Sequence, residues 1–225
     1  DDGEHLYVSV RGSGPPLVLL HQWAADHLSW GDLPHELSQH FTVYAWDARG
    51  HGHRPRLGGE TPSVGRMARD LLQLFDHFQL ERPTVIGHSM GALTLWELIR
   101  QAGTARLGPL CIIDQSPRLI TGPDWPLGIY GNFPPERNQA FLAALQVDFA
   151  ETVLRLVADG LNQRATEQYH KNSRGIQLLR DKLARVDQEA AIAIWASLAD
   201  GDWRPVLPAI DRPTLLIYGR ESNYY

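Results

Sequence analysis

The sequence predicts an α/β fold, a mostly parallel sheet with helices on both faces and a helical segment inserted late in the chain. The first observation is a set of short apolar runs bounded by turn residues: PLVLLH from Pro16, FTVYAWD from Phe41, PTVIGHS from Pro83, PLCIID from Pro109 and PTLLIYG from Pro213. None alternates apolar with polar residues, so each reads as a strand buried on both faces, as parallel strands are. The second is helical spacing between two of them. In TPSVGRMARDLLQLFDHFQL, Thr61 is placed to cap and Pro62 suits the first turn, while Val64, Met67, Ala68, Leu71, Leu72, Phe75 and Phe78 recur along one face. Strand, helix and strand in alternation imply a parallel sheet.

Each remaining element follows from its pattern. HLYVSVRGSGPP does alternate, which predicts an antiparallel edge strand and turn. ALTLWELIRQAG continues from the PTVIGHS strand as a helix. From Pro117 to about Pro208 the rhythm breaks. PPERNQAFLAALQVDFAETVLRLVADG, RGIQLLRDKLARV and QEAAIAIWASLADGDW are amphipathic helical stretches stopped at Gly160 and Gly201, and Pro205, Pro208 and Pro213 mark the return to the sheet. The expected division is a core of residues 1–116 and 205–225 with a helical cap at 117–204.

Composition narrows the function. With 43% hydrophobic and 21% charged residues, the 225-residue chain can bury a real core. Its formal net charge of −5, without a run of more than two adjacent basic residues, offers no footprint for nucleic acid or anionic membrane. Small molecules are the expected partners. The single Cys111 cannot form an internal disulfide and the polar start DDGEH lacks a signal-peptide stretch, which points to the cytoplasm. Histidines and carboxylates are scattered without ligand spacing, so no metal and no cofactor are expected.

The chemistry concentrates in VIGHSMGAL. Gly87-His88-Ser89-Met90-Gly91 follows a strand and precedes a helix, which is the context a G-x-S-x-G nucleophile requires. A nucleophilic serine must project from a sharp, strained turn, and glycines two residues to either side leave room for it. The helix N-terminus then favours a developing oxyanion.

On these residues the chain resembles the α/β-hydrolase superfamily. LLHQWAADHLSW is similar to its oxyanion-loop segment, WDARGHGHR to the loop after the next strand, and GHSMGA to its nucleophile elbow. The resemblance implies Ser89 as nucleophile, with the backbone N–H groups of Trp23 and Met90 as oxyanion donors. Gln22 departs from the family, which has Gly there, and is expected to narrow the pocket or to add an amide donor. Trp125, Tyr130 and Phe133 are candidates for the pocket entrance, with cap packing an equal explanation. His88 reads as a packing residue, and Asp47, Arg49 and His51 as loop-fixing residues.

In this superfamily the acid stands in one of two places. At the commoner one this chain has Ser222, with Glu221 a residue early, so Asp114 is the expected acid and Glu221 the reserve. The resemblance places the catalytic histidine after a further strand and helix. Of the ten histidines only His170, in the cap, lies beyond the elbow, so the chain is expected to be part of a longer protein whose base lies beyond Tyr225.

Three functions stay open. The first is a serine hydrolase of small-molecule esters, lactones or thioesters that works through an acyl-enzyme. The second is a cofactor-independent 2,4-dioxygenase acting on hydroxy-oxoquinoline-type heterocycles, which Trp23, Asp26 and His27 echo. The third is a hydrolase-like binding protein without turnover. Epoxide hydrolysis and dehalogenation need a carboxylate where Ser89 stands.

Overall fold

The computed structural model describes residues 2–52 and 59–225, so His53 and Arg54 of the WDARGHGHR segment lie outside the described residues. Six strands form one sheet: β1 (Val8–Arg11), β2 (Pro16–Leu20), β3 (Thr42–Trp46), β4 (Thr84–His88), β5 (Leu110–Ile113) and β6 (Thr214–Ile217). Their order is β1-β3-β2-β4-β5-β6, with β1 antiparallel to β3 and every other pairing parallel. The chain passes from β2 outward to β3 and then back across β2 to β4. The crevice beyond the carboxyl ends of β2 and β4 is therefore the topological switch point, where ligands of open α/β sheets bind.

Alternation along β2 sends side chains to two different cores. Val18 and Leu20 join Val85 and Ile112 under α2 (Val64–His77) and α3 (Met90–Ala102), whose Met67, Leu71, Phe75 and Leu95 are fully buried. Leu17 and Leu19 face the other way with Val43 and Ala45, against Trp30, Phe41 and Leu37 of the short α1 (Leu33–Leu37). The sheet thus has helices on both faces, thinly on the second.

Helix α2 starts two residues later than the sequence suggests. Its cap is Ser63, not Thr61: the Ser63 hydroxyl accepts from the Arg66 N–H at 3.2 Å, and Thr61 and Pro62 precede the helix. Buried Arg49 and Arg66 both bind the Asp70 carboxylate of α2, which fastens the loop after β3 to that helix. Removing one partner of such a buried pair strands the other charge.

Between β5 and β6 lie five helices: α4 (Pro135–Val147), α5 (Phe149–Ala158), α6 (Gln163–His170), α7 (Arg174–Leu183) and α8 (Gln188–Ala199). The stretch from Pro135 to Ala158 reads in sequence as one helical run, yet Asp148 breaks it with an extended backbone, φ −148° and ψ 95°, and caps α5 by accepting from the Glu151 N–H. Helix α6 was not foreseen, because it buries none of its residues. It is held at its start by Asn162, whose side chain accepts from Arg164 and Ala165 N–H.

Strand β6 corrects another expectation. It pairs in parallel with β5, but it is the outermost strand, and Leu215 and Leu216 are both 59% exposed rather than buried on two faces. No helix among the described residues is long and apolar enough to cross a membrane.

Candidate active site

Ser89 joins β4 to α3 in a conformation that L-residues rarely adopt, φ 51° and ψ −115°. Such backbone strain costs roughly 1–3 kcal/mol and persists only where the surroundings enforce it. Here they do. The Ser89 N–H donates to the Ile113 carbonyl at 3.1 Å, and the flanking glycines let the backbone close up. A Cβ on Gly91 would stand 2.1 Å from the Leu20 carbonyl oxygen, and one on Gly87 would stand 2.7 Å from Ala92 N. Both contacts are impossible for any other residue, so the two glycines are what allow α3 to start against β2 and β4.

The elbow opens on a cavity of about 300 Å³. Its walls are apolar, with Leu93 and Leu119 from the sheet side and Val153, Leu156, Leu183 and Leu198 from the inserted helices, joined by the rings of Trp23 and Trp195. Gln22, Ser89, Asp114, Gln115 and Lys182 are among its polar points. A largely apolar pocket with a few convergent polar groups suits an organic molecule with one polar centre.

Asp114 follows β5 at φ 48°. Its Oδ2 accepts from the Ser222 hydroxyl at 2.7 Å, and Ser222 Oγ in turn accepts from the Tyr224 N–H. Its Oδ1 is buried and meets no donor among the described residues. A buried carboxylate oxygen is normally satisfied, and Oδ1 faces the cavity as an acceptor. Glu221 is exposed and does not line the cavity, and its backbone oxygen accepts from the Asn162 amide.

The segment after β2 is gripped from two sides. On the sheet side His21 and His51 form a reciprocal clasp: the Ala48 N–H donates to His21 Nε2 at 3.0 Å and the Ala24 N–H to His51 Nε2 at 3.1 Å. Each ring must then carry its proton on Nδ1, which sits 2.8 Å from the Gln22 carbonyl in His21 and 3.1 Å from the Arg49 carbonyl in His51. Burial holds both imidazoles neutral, pulling His51 down to about 4 and His21 well below its ordinary value. On the other side the Trp23 indole N–H donates to the Ala191 carbonyl of α8 at 2.8 Å, and its ring packs on Trp195 with centroids 4.8 Å apart. The backbone N–H groups of Trp23, on this segment, and of Met90, the first residue of α3, meet no protein acceptor among the described residues.

Other residues singled out from the sequence stand as follows. Gln22 lines the cavity, whereas Trp125, Tyr130 and Phe133 do not. Trp125 binds the Arg118 carbonyl beneath the Arg204 guanidinium, Tyr130 donates to the Leu156 carbonyl and stacks on Tyr224, and Phe133 is core beside Phe141 and Trp195. Packing within the inserted segment, and for Tyr130 also against Tyr224, accounts for all three. His88 borders the cavity edge-on to Trp30, with its basicity lowered by burial. His170 ends α6 beside Tyr169, away from the cavity lining. Asp47 holds the His27 N–H and imidazole, while Asp26 caps the 3-10 turn His27–Trp30 through the Leu28 N–H. The Trp23, Asp26 and His27 pattern thus serves packing and turn formation. Sequence reasoning missed Lys182 and Trp195, which the helical spacing of Leu179 with Leu183 and of Trp195 with Leu198 placed on apolar faces without saying what those faces cover.

A parallel sheet whose switch point carries a serine on a strained strand-to-helix turn, over an apolar cavity beside a carboxylate, defines the class of α/β domains built around a serine elbow. The chain belongs to the alpha/beta hydrolase fold family, which matches it over residues 15–224. It is 27% identical to a pimeloyl-[acyl-carrier protein] methyl ester esterase of Vibrio vulnificus over 216 residues, 96% of this chain and 79% of the relative. It is 28% identical to the same kind of esterase from Nitrosospira multiformis, over 96% of this chain and 80% of the relative. Among solved structures it superposes on a bromoperoxidase from Bacillus anthracis with TM-score 0.82 at 22% identity, covering 97% of this chain and 78% of that one. The corresponding figures for an esterase from Exiguobacterium antarcticum are 0.81, 20%, 98% and 79%.

Proposed function

We propose that the protein is a serine hydrolase that cleaves small-molecule esters, lactones or thioesters through an acyl-enzyme, with the inserted helices as a cap over the site. One observation carries this reading: Ser89, on its strained elbow, shares an apolar cavity with the unpartnered Oδ1 of Asp114. Relatives named as methyl ester esterases support the ester class.

In the proposed reaction the Ser89 hydroxyl oxygen attacks the carbonyl carbon as its proton passes to an imidazole. Asp114 Oδ1 orients that imidazole, and no histidine among the described residues occupies this role. The tetrahedral oxyanion is met by the N–H groups of Trp23 and Met90, each such donor being worth about 3 kcal/mol of transition-state stabilisation. Collapse breaks the bond to the leaving group, which takes the imidazole's proton, and water then releases the acid and restores the serine. The neutral His21 and His51, committed to the loop, take no part. The cytoplasm is the compartment proposed, supported by a sequence whose single cysteine, Cys111, is buried and unpaired.

The test is hydrolysis of p-nitrophenyl esters from acetate to decanoate by the wild type and by Ser89→Ala. Turnover that falls to background in the variant is expected. A variant that keeps the wild-type rate, or a folded wild type that hydrolyses no ester, lactone or thioester, rejects the proposal.

A further inference from the structure

The Asp114 carboxylate is held by one of its two oxygens. Oδ2 accepts the Ser222 hydroxyl at 2.7 Å, while Oδ1 meets no donor among the described residues. Ser222 is fixed by the turn that carries it. Its N–H donates to the Gly219 carbonyl at 3.1 Å, and its Oγ accepts from the N–H groups of Tyr224 at 3.3 Å and Tyr225 at 3.4 Å. A hydroxyl has one proton to give and two lone pairs to receive with. The two backbone donors occupy the lone pairs, so the proton is committed to Asp114. The residues that supply those donors are tied down in turn. The Tyr130 N–H donates to the Tyr224 carbonyl at 2.8 Å, the Leu161 N–H to the Asn223 carbonyl at 2.9 Å, and the Gln115 amide to the Tyr225 hydroxyl at 2.9 Å. The direction of the Ser222 hydrogen bond is therefore set by this network and not by the group at 114.

We infer that Ser222 is a positioning residue for the acid: its hydroxyl takes one side-chain oxygen at 114 and leaves the other to accept the N–H of the catalytic imidazole. The inference rests on the hydrolase reading above and on Asp114 as its acid. Ser222 itself touches no reacting atom in this role. Its effect differs from that of a serine that only stabilises a loop, and Asp114→Asn exposes the difference. A hydroxyl that can only donate takes the amide oxygen in that variant and turns the NH2 group to the cavity. The imidazole then faces a donor where it needs an acceptor, which selects the wrong tautomer. With the hydroxyl removed as well, the amide is free to turn over and present its oxygen instead.

The experiment measures hydrolysis of p-nitrophenyl butyrate by the full-length protein as wild type, Ser222→Ala, Ser222→Thr, Asp114→Asn and the double variant Asp114→Asn/Ser222→Ala. Expected in Ser222→Ala is a kcat lower by about tenfold or more with KM within about twofold, as for the loss of a hydrogen bond to a charged group that acts in the transition state. Ser222→Thr, which keeps the hydroxyl, recovers most of the rate. The sign reverses in the second background: the double variant is faster than Asp114→Asn by about tenfold, although each substitution alone slows the enzyme. Melting temperatures identify a variant that fails to fold, and Ser222→Cys, close in size with a much weaker donor, then replaces Ser222→Ala in both backgrounds. A further loss in the double variant, or a wild-type kcat in Ser222→Ala, overturns the inference while the hydrolase reading stands. Near-normal turnover in Asp114→Asn overturns it as well, because the acid then lies elsewhere. A folded wild type that hydrolyses no ester rejects the hydrolase reading, and the inference falls with it.

Discussion

Acidification should loosen this protein through the two histidines that clasp the segment beside Ser89. His51 is fully buried and accepts the Ala24 N–H, so a proton on Nε2 would both replace that hydrogen bond and place a charge in the core. Burial is the leading cause that brings its pKa from 6.5 to about 4, against the opposing pull of Asp47, Asp187 and Asp26 and with His21 5.1 Å away ring to ring. The folded pKa lies below the unfolded one. Between pH 6.5 and 4 the unfolded chain therefore binds more protons, and stability that is complete above pH 6.5 is lost as the pH falls. For His51 alone the linkage gives a loss of about 2 kcal/mol by pH 5 and about 3 kcal/mol by pH 4. His21, also lowered, adds to the same direction. Urea unfolding of the wild type and of His51→Gln, which keeps an acceptor for Ala24 but does not titrate, isolates the effect. Between pH 7 and pH 5 the wild type should lose about 2 kcal/mol more than the variant. Parallel curves over that interval would refute the clasp as a neutral-only device.

Asp114→Asn should leave the fold intact and cut kcat by about 10³–10⁴, the scale of loss when a triad aspartate becomes asparagine, while Glu221→Gln stays near wild type; the reverse pattern in steady-state kinetics would move the acid to Glu221. Gly91→Ala places a methyl group 2.1 Å from the Leu20 carbonyl oxygen, so thermal denaturation should show a loss of several kcal/mol or no folded protein, beyond the roughly 1–3 kcal/mol typical of overpacking. Val153→Trp fills part of the cavity and should raise KM for decanoate esters at least about tenfold while sparing acetate; equal effects on both would show that acyl chains lie elsewhere.

The parallel sheet and the strained strand-to-helix turn at Ser89 were legible because each depends on local chemistry. Apolar runs without alternation mark strands, and Gly87 and Gly91 mark a turn whose close contacts exclude a Cβ. What was not legible depends on distant partners. Thr61 was expected to cap α2, and only the direction in which the chain enters the helix puts Ser63 in that place instead. Trp125, Tyr130 and Phe133 resemble pocket residues by type, but the packing of the inserted helices turns them to other neighbours and brings Trp195 and Lys182 to the cavity instead. The pairing of His21 with Ala48 and of His51 with Ala24, 27 residues apart in each case, has no sequence signature at all.

The central claim is that Ser89 is an activated nucleophile, and a fluorophosphonate probe tests it most directly. Incubation of the full-length protein with the probe, followed by digestion and mass spectrometry, should place a single phosphonyl adduct on the peptide containing Ser89 and abolish ester hydrolysis in the same proportion. The adduct should be missing from Ser89→Ala and should form at least about a thousandfold more slowly in Asp114→Asn. A folded protein that hydrolyses esters but is labelled elsewhere, or not at all, would contradict the claim.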